Sequence, residues 1–318
     1  MANPVSSVTR WDAGDTFFIQ NQLQAYDPAT RYHLVPGVVG RRYIKPVEGV
    51  SPNQPSYKYT MTKLIGSAKR SMRGAKDAPG VKVVKEEVLQ SVKTFDENAS
   101  WTVDEARAAR EAGGNLSMDT MLAAQVSIEQ QIDAALCSGV SGTNITGLAN
   151  ASGVGITTAT ASWTTATNDQ ILGDIRQMII DTTTALKQAH LPGNSQLMFD
   201  QFVLWLPLAK YGQVDMTPRS ATSDTTILDL IKRFTAVKSV IPWWRLDTAG
   251  PGGTPQAVLT PALDDGTVNP LAVGSILPQD FEMLPEQYSG RSVTVPCAGK
   301  CGGLAIPYPV SCRYLRSL

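Results

Sequence analysis

The chain has 318 residues, 42% hydrophobic and 18% charged, with 28 Lys plus Arg balancing 28 Asp plus Glu. That length buries one large core or two coupled ones. The zero formal charge argues against a dedicated nucleic-acid binder, which carries a basic excess, and leaves copies of the chain little reason to repel one another. No stretch approaches the roughly 20 apolar residues that span a bilayer, and residues 1–15 lack the basic head and apolar core of a secretory signal.

Residues 1–52 read as an extended arm. Pro4, Pro28, Pro36, Pro46 and Pro52 punctuate it, and each removes an amide donor and fixes φ. A short amphipathic helix fits residues 16–23. Trp11, Phe17, Phe18, Tyr26, Tyr32 and Tyr43 are too aromatic for a solvated tail, so the arm should lie on its own domain or on a neighbour.

Residues 56–96 read as a long hairpin. Tyr57, Tyr59 and Met61 alternate with Lys58, Thr60 and Thr62, and residues 81–95 form the returning strand with Val81, Val83, Val88 and Val92. Its tip, 66–80, carries Lys69, Arg70, Arg73 and Lys76 before the first acid, Asp77. The basic tip has three readings: a solvated turn, a nucleic-acid contact, or a contact with an acidic patch on another chain. The length of the hairpin favours the third, because a polar tip so far from any core needs a partner.

Residues 101–138 read as helical. Thr102-Val-Asp-Glu105 fits a capping box. Gly113 and Gly114 interrupt the run, and Ser117 is expected to cap a second segment over 118–138. In it Met118, Met121, Leu122, Ile128, Ile132, Ala135 and Leu136 recur at helical spacing. Gly139 and Gly142 end it. A Ser/Thr/Ala/Gly stretch with Trp163 follows. Residues 168–189 then form a second helix with Ile171, Leu172, Ile175, Met178, Ile179 and Leu186 on one face. Further on, strands are expected at 196–206, 239–246, 256–260, 274–277, 292–295 and 304–306, with a short helix at 225–234.

No catalytic constellation emerges. Gly139-Val-Ser-Gly142 lacks the glycine two after the serine that a nucleophile elbow needs. There is no phosphate loop or dinucleotide fingerprint. His33 and His190 are the only histidines, and His190 suits a helix C-terminus. Asp104/Glu105 and Glu129/Asp133 read as cap and solvated-face acids. Trp243-Trp244 reads as core on one side and interface on the other, against a sugar or base platform, since adjacent strand residues face opposite ways. Cys137, Cys297, Cys301 and Cys312 read as buried free thiols rather than metal ligands. The expectation is a structural protein with no catalytic, cofactor or metal residues.

The order of parts resembles the Hong Kong 97 fold of tailed-bacteriophage major capsid proteins, over nearly the whole chain. Three segments carry the resemblance. Ile145-Thr-Gly-Leu-Ala-Asn150 is similar to the motif after the spine helix in this family and in encapsulins. Trp163 ahead of the helix at Asn168 is the second. Gly302-Gly-Leu-Ala-Ile-Pro-Tyr-Pro309 is similar to the closing strand of one subgroup. The resemblance implies an α+β chain with an N-terminal arm (1–55), an E-loop hairpin (56–96) lying over a neighbour, a peripheral domain with a long spine helix (97–141), an axial domain (142–271) and strands returning to the peripheral domain (272–318). It implies self-assembly into pentamers and hexamers of an icosahedral shell that encloses double-stranded DNA without reading its sequence, in a virion assembled in the bacterial cytoplasm. Portal and decoration proteins are further implied partners, with no membrane. The arm starting near Met1 implies a separate scaffolding protein or none. Lys69, Arg70, Arg73 and Lys76 are then inter-subunit contacts, and Gly147, Leu148 and Asn150 the family motif residues. No crosslinking lysine–asparagine pair is identifiable. An encapsulin shell and a tail-tube protein are the alternatives.

Overall fold

The computed structural model describes residues 37–65, 82–111, 114–188, 201–219 and 225–318. The one-turn helix α1 (Gly40–Tyr43) comes first, then strands β1 (Ser56–Ile65), β2 (Lys82–Ser91) and β3 (Lys93–Thr102). Helices α2 (Val103–Glu111) and α3 (Leu116–Ser138) follow, then β4 (Gly155–Thr158) and α4 (Asn168–Gln188). The next group is β5 (Phe202–Pro207), α5 (Leu208–Met216), α6 (Ile227–Lys232), β6 (Val237–Trp243) and β7 (Ala257–Pro261). The chain closes with β8 (Gly274–Ser275), β9 (Gln279–Met283), β10 (Gln287–Ser289), β11 (Ser292–Cys301), β12 (Leu304–Ala305) and β13 (Arg313–Arg316).

Among the described residues the strands build two sheets and two ribbons. A five-stranded mixed sheet runs β4-β13-β7-β5-β6. Its strand β5, flanked by β7 and β6, reads Phe202-Val-Leu-Trp-Leu206 and is apolar without alternation because both faces are covered. Helix α4 packs Ile171, Ile175 and Met178 into the same core. In the other sheet β3 lies along one edge of β11, while β9 and β10 share the opposite edge. Alternate β11 residues (Val293, Val295, Cys297) are buried. Helix α3 lies on that face so closely that a side chain at Gly299 would meet Ile128.

Several sequence expectations hold and several shift. The capping box forms as read: the Thr102 amide donates to the Glu105 carboxylate at 2.9 Å, and the Glu105 amide donates to the Thr102 hydroxyl at 3.2 Å. The helices expected at 168–189 and 225–234 appear as α4 and α6, the latter capped by Thr226. The returning hairpin strand, however, ends at Ser91. The Val92 amide donates to the Pro55 carbonyl and closes the ribbon, and Lys93–Thr102 pairs with β11 instead. Asp96, Asn98 and Ser100 disfavour a strand locally, so only that pairing reveals one. Helix α3 starts at Leu116, and Ser117 sits inside its first turn, bonded to Asn115 rather than capping. Met118 and Leu122, assigned to the apolar face, are exposed at 67% and 41%. Strands β4, β9, β10 and β13 and helix α5 had no adequate periodic signal: four are short, and α5 carries Gly212 and starts directly after a strand. The expected helix at 16–23 and the arm through residue 36 lie outside the described residues.

Candidate functional site

The four basic tip residues, Lys69, Arg70, Arg73 and Lys76, lie outside the described residues, as do His33 and His190. The ribbon that leads to the tip is described. β1 and β2 pair in unbroken antiparallel register from Ser56↔Ser91 to Ile65↔Lys82. Tyr57, Tyr59 and Met61 are half-buried on one face, while Lys58 and Thr60 are exposed on the other. That second face also presents Val83 and Leu89, exposed at 54% and 55%. Lys58 pairs with Glu87 across it.

The ribbon is anchored at its base. Gln90 is buried, and its amide donates to the Leu304 carbonyl at 2.8 Å. Tyr59 meets the Ile306 backbone, and burial pushes its phenol above the ordinary value. The anchoring segment, 302–306, therefore falls within one of the three stretches singled out in the sequence. The structure brings it against another, 145–150: the Leu304 amide donates to the Thr146 carbonyl at 2.8 Å, beside Gly303 at φ 76°.

Gly147, Leu148 and Asn150 form the C-terminal cap of α3. A helix leaves its last four carbonyls without internal partners. Here all are answered: Ala135 by the Gly139 amide (2.9 Å), Leu136 by the Leu148 amide (2.8 Å), Cys137 by the Ala149 amide (2.8 Å), and Ser138 by the Asn150 side-chain amide (2.7 Å). The Asn150 oxygen accepts from the Gly147 amide at 2.7 Å, which holds the loop in this shape. Gly147 must be glycine, because a Cβ there would lie 2.6 Å from the Cys137 carbonyl oxygen and against the Gly139 amide. Leu148 is buried in the core. The Tyr314 hydroxyl donates to the Leu148 carbonyl (2.8 Å) and accepts from the Ala151 amide (2.9 Å), and Gln256 donates to the Ala149 carbonyl (3.0 Å). Strand β13 and the residue that leads into β7 are thereby bonded to the loop that caps α3.

Asp133 corrects the sequence reading. It does not sit on a solvated face; it is 1% exposed and accepts four hydrogen bonds. Oδ1 takes the Val39 and Gly40 amides at 3.1 and 2.7 Å, and Oδ2 takes Trp243 Nε1 at 3.2 Å and Arg245 Nε at 2.8 Å. Arg245 also donates to the Gln130 carbonyl and stacks on the Trp244 ring. Trp243 is thus core, while Trp244 is half-buried under the guanidinium. One signal was available: Glu129 and Asp133 are like charges at i, i+4, an unfavourable pair unless one is satisfied elsewhere.

All four cysteines are free and buried. Burial pushes Cys137 and Cys312 up to about 12 and Cys301 to about 11, and raises Cys297. Among the described residues, no group of three or more His, Cys, Asp or Glu is placed to hold a metal, and no helix is long and apolar enough to cross a membrane. What the arrangement offers is anchoring: a projecting ribbon rooted in a hydrogen-bonded joint.

The fold is that of phage capsid subunits. The structure is similar to the capsid of Myoviridae phage XM1, with a TM-score of 0.77 and 16% identity over 94% of this chain and 98% of that one. It is similar to a chain of Mycobacterium phage Bobi at TM-score 0.61 and 12% identity, covering 93% and 96%. The virus-like particle from Pyrococcus furiosus matches at TM-score 0.55 and 13% identity, covering 86% and 91%. No curated protein sequence matches the chain. The model of the major capsid protein family matches residues 66–317, and the chain belongs to that family. It is a structural head-shell protein of the virion that associates with copies of itself.

Proposed function

We propose that the chain builds an icosahedral phage head from pentamers and hexamers, with the parts divided as the sequence suggests. The arm is 1–55, the E-loop 56–96, the peripheral domain 97–141 and the axial domain 142–271, with 272–318 returning to the peripheral sheet. The observation that carries this reading is the β1–β2 ribbon. A two-stranded ribbon is marginal alone, and this one leaves its body with Val83 and Leu89 uncovered. A neighbouring subunit beneath it supplies the missing contacts, and closed symmetry lets many weak contacts be satisfied together. Lys69, Arg70, Arg73 and Lys76 then meet acidic groups on that neighbour. The shell encloses double-stranded DNA without sequence recognition, which suits a chain of zero formal charge. Portal and decoration proteins are its further partners, with a separate scaffolding protein or none, and assembly takes place in the bacterial cytoplasm.

Electron microscopy of the purified protein tests the reading: closed polyhedral shells are expected, and tubes or only monomers would overturn it. Converting Lys69, Arg70, Arg73 and Lys76 together to Glu should leave soluble, folded protein that forms no closed shells. Normal shells from that variant would remove the tip from the interface.

A further inference from the structure

Strand β13 is four residues long, yet it lies inside the five-stranded sheet. It runs parallel to β4 from Arg313↔Gly155 to Arg316↔Thr158 and antiparallel to β7 from Arg313↔Leu259 to Leu315↔Ala257. Among the described residues β4 pairs with no other strand, whereas β7, β5 and β6 stay paired to one another without β13. The side chains repeat this division. Arg313 Nε donates to the Thr157 hydroxyl at 2.7 Å, and the guanidinium pairs with Asp181 of α4 at 3.3 Å. The Tyr314 hydroxyl holds Leu148 and Ala151. The Arg316 carbonyl accepts from the Ala159 amide at 2.9 Å, while its Nε donates to Gln256, next to β7, at 2.9 Å. Leu315 is fully buried.

The lead-in to β13 is held differently. Between β12 and β13 the chain makes one turn of 3-10 helix, Pro309–Ser311, and joins no ladder. Pro307 and Pro309 have no amide to give, and the Ser311 and Cys312 amides bond back within the turn, to the Tyr308 and Pro309 carbonyls. Strand β13 can therefore leave its slot with β11 still on β3 and β12 still on β8. Proteins open in such cooperative pieces at free energies below that of global unfolding.

We propose that β13 is a clasp. It opens as a unit while β7–β5–β6 and the β11 sheet persist, and its closing fastens β4, α4 and the loop that caps α3 to the rest of the five-stranded sheet. The clasp is a property of the single subunit, so it is tested separately from shell formation.

Native thiols report on the clasp: Cys312 immediately precedes β13, Cys297 and Cys301 lie in β11, and all three are buried. The full, unaltered chain is alkylated with N-ethylmaleimide before assembly, at rising sub-denaturing urea. Each cysteine is quantified by mass spectrometry against its rate in the unfolded chain, and backbone hydrogen exchange of residues 313–318 is followed in parallel. Protection at Cys312 is expected to be about tenfold or more below that at Cys297 and Cys301, with a shallower urea dependence, because a local opening exposes less surface than global unfolding. Exchange of the 313–316 amides should rise in step. Tyr314→Phe removes the hydroxyl that holds Leu148 and Ala151, and should lower Cys312 protection about fivefold further while leaving Cys301 unchanged. Equal protection and equal urea dependence at Cys312 and Cys301 would mean that β13 opens only with the whole subunit, and would overturn the proposal. So would labelling of Cys312 while the 313–316 amides stay protected, which would place the motion in the 309–312 turn alone.

Discussion

The Asn150 side-chain amide donates to the Ser138 carbonyl at 2.7 Å, so a residue twelve positions beyond the end of α3 completes that helix. The same side chain accepts from the Gly147 amide, so its two polar atoms serve the helix end and the loop that returns to it.

Asn150→Ala removes both bonds and leaves a helix-terminal carbonyl unanswered. A loss of about 1–3 kcal/mol is expected, read as a lower urea midpoint of the unassembled subunit at unchanged slope. Asn150→Asp keeps the acceptor but aims negative charge at the negative end of the helix. It should be at least as destabilising as alanine at pH 7. An Asp variant as stable as the parent would refute the capping role.

Gly147→Ala and Gly142→Ala separate steric need from backbone preference. At position 147 the new Cβ meets backbone from two residues, and about 3 kcal/mol of destabilisation is expected. At position 142, φ is 75° and the surrounding space is open, so the cost is about 1 kcal/mol of left-handed strain. Equal effects at the two positions would contradict the close approach.

Arg245→Met strands the Asp133 carboxylate in the interior. Breaking a buried pair from one side costs about 3–5 kcal/mol. Asp133→Asn combined with Arg245→Met should recover part of that loss. Denaturant unfolding of the singles and the double closes the cycle, with a coupling of more than about 1 kcal/mol expected. Strict additivity would show that the ion pair contributes nothing beyond its separate parts.

The capping box carries a pH signature. The Thr102 amide, and then its hydroxyl, hold the Glu105 carboxyl below its ordinary value of 4.5. A depressed folded value stabilises the protein above the unfolded value and loses that contribution as pH falls through the folded one. The stability difference between the parent and Glu105→Ala should therefore be full above about pH 5 and shrink on acidification. A difference that grows towards pH 3 would reverse the assignment.

The thiols should be inert in the native subunit. With Cys137 and Cys312 at about 12 and Cys301 at about 11, little thiolate exists at pH 8. Ellman's reagent should react slowly with native protein and reach four equivalents in guanidinium. Rapid native reaction of two or more thiols would show that the core opens on the assay timescale.

Much of the architecture was legible because it rests on local rules. The Thr102–Glu105 box, the 3.6-residue periodicity of α3 and α4, the helix-ending Gly139 and the alternation of Tyr57, Tyr59 and Met61 are each written within a few residues. Gly147, Leu148 and Asn150 were visible as a motif, but the work of the 147–150 loop was not: the carbonyls it caps belong to residues 136–138, and the further partners of its Leu148 and Ala149 carbonyls, Tyr314 and Gln256, lie more than a hundred positions away.

What the sequence by itself determined is the set of elements whose stabilising contacts fall within one or two turns, and the absence of charge excess that leaves self-association open. Tertiary structure alone decided the rest. Lys93–Thr102 is a strand because β11 lies beside it, and Asp133 is buried because Gly40, Trp243 and Arg245 converge on it from distant parts of the chain. A buried carboxylate and an exposed one look alike in sequence, since the bonds that permit burial come from residues the local pattern does not contain.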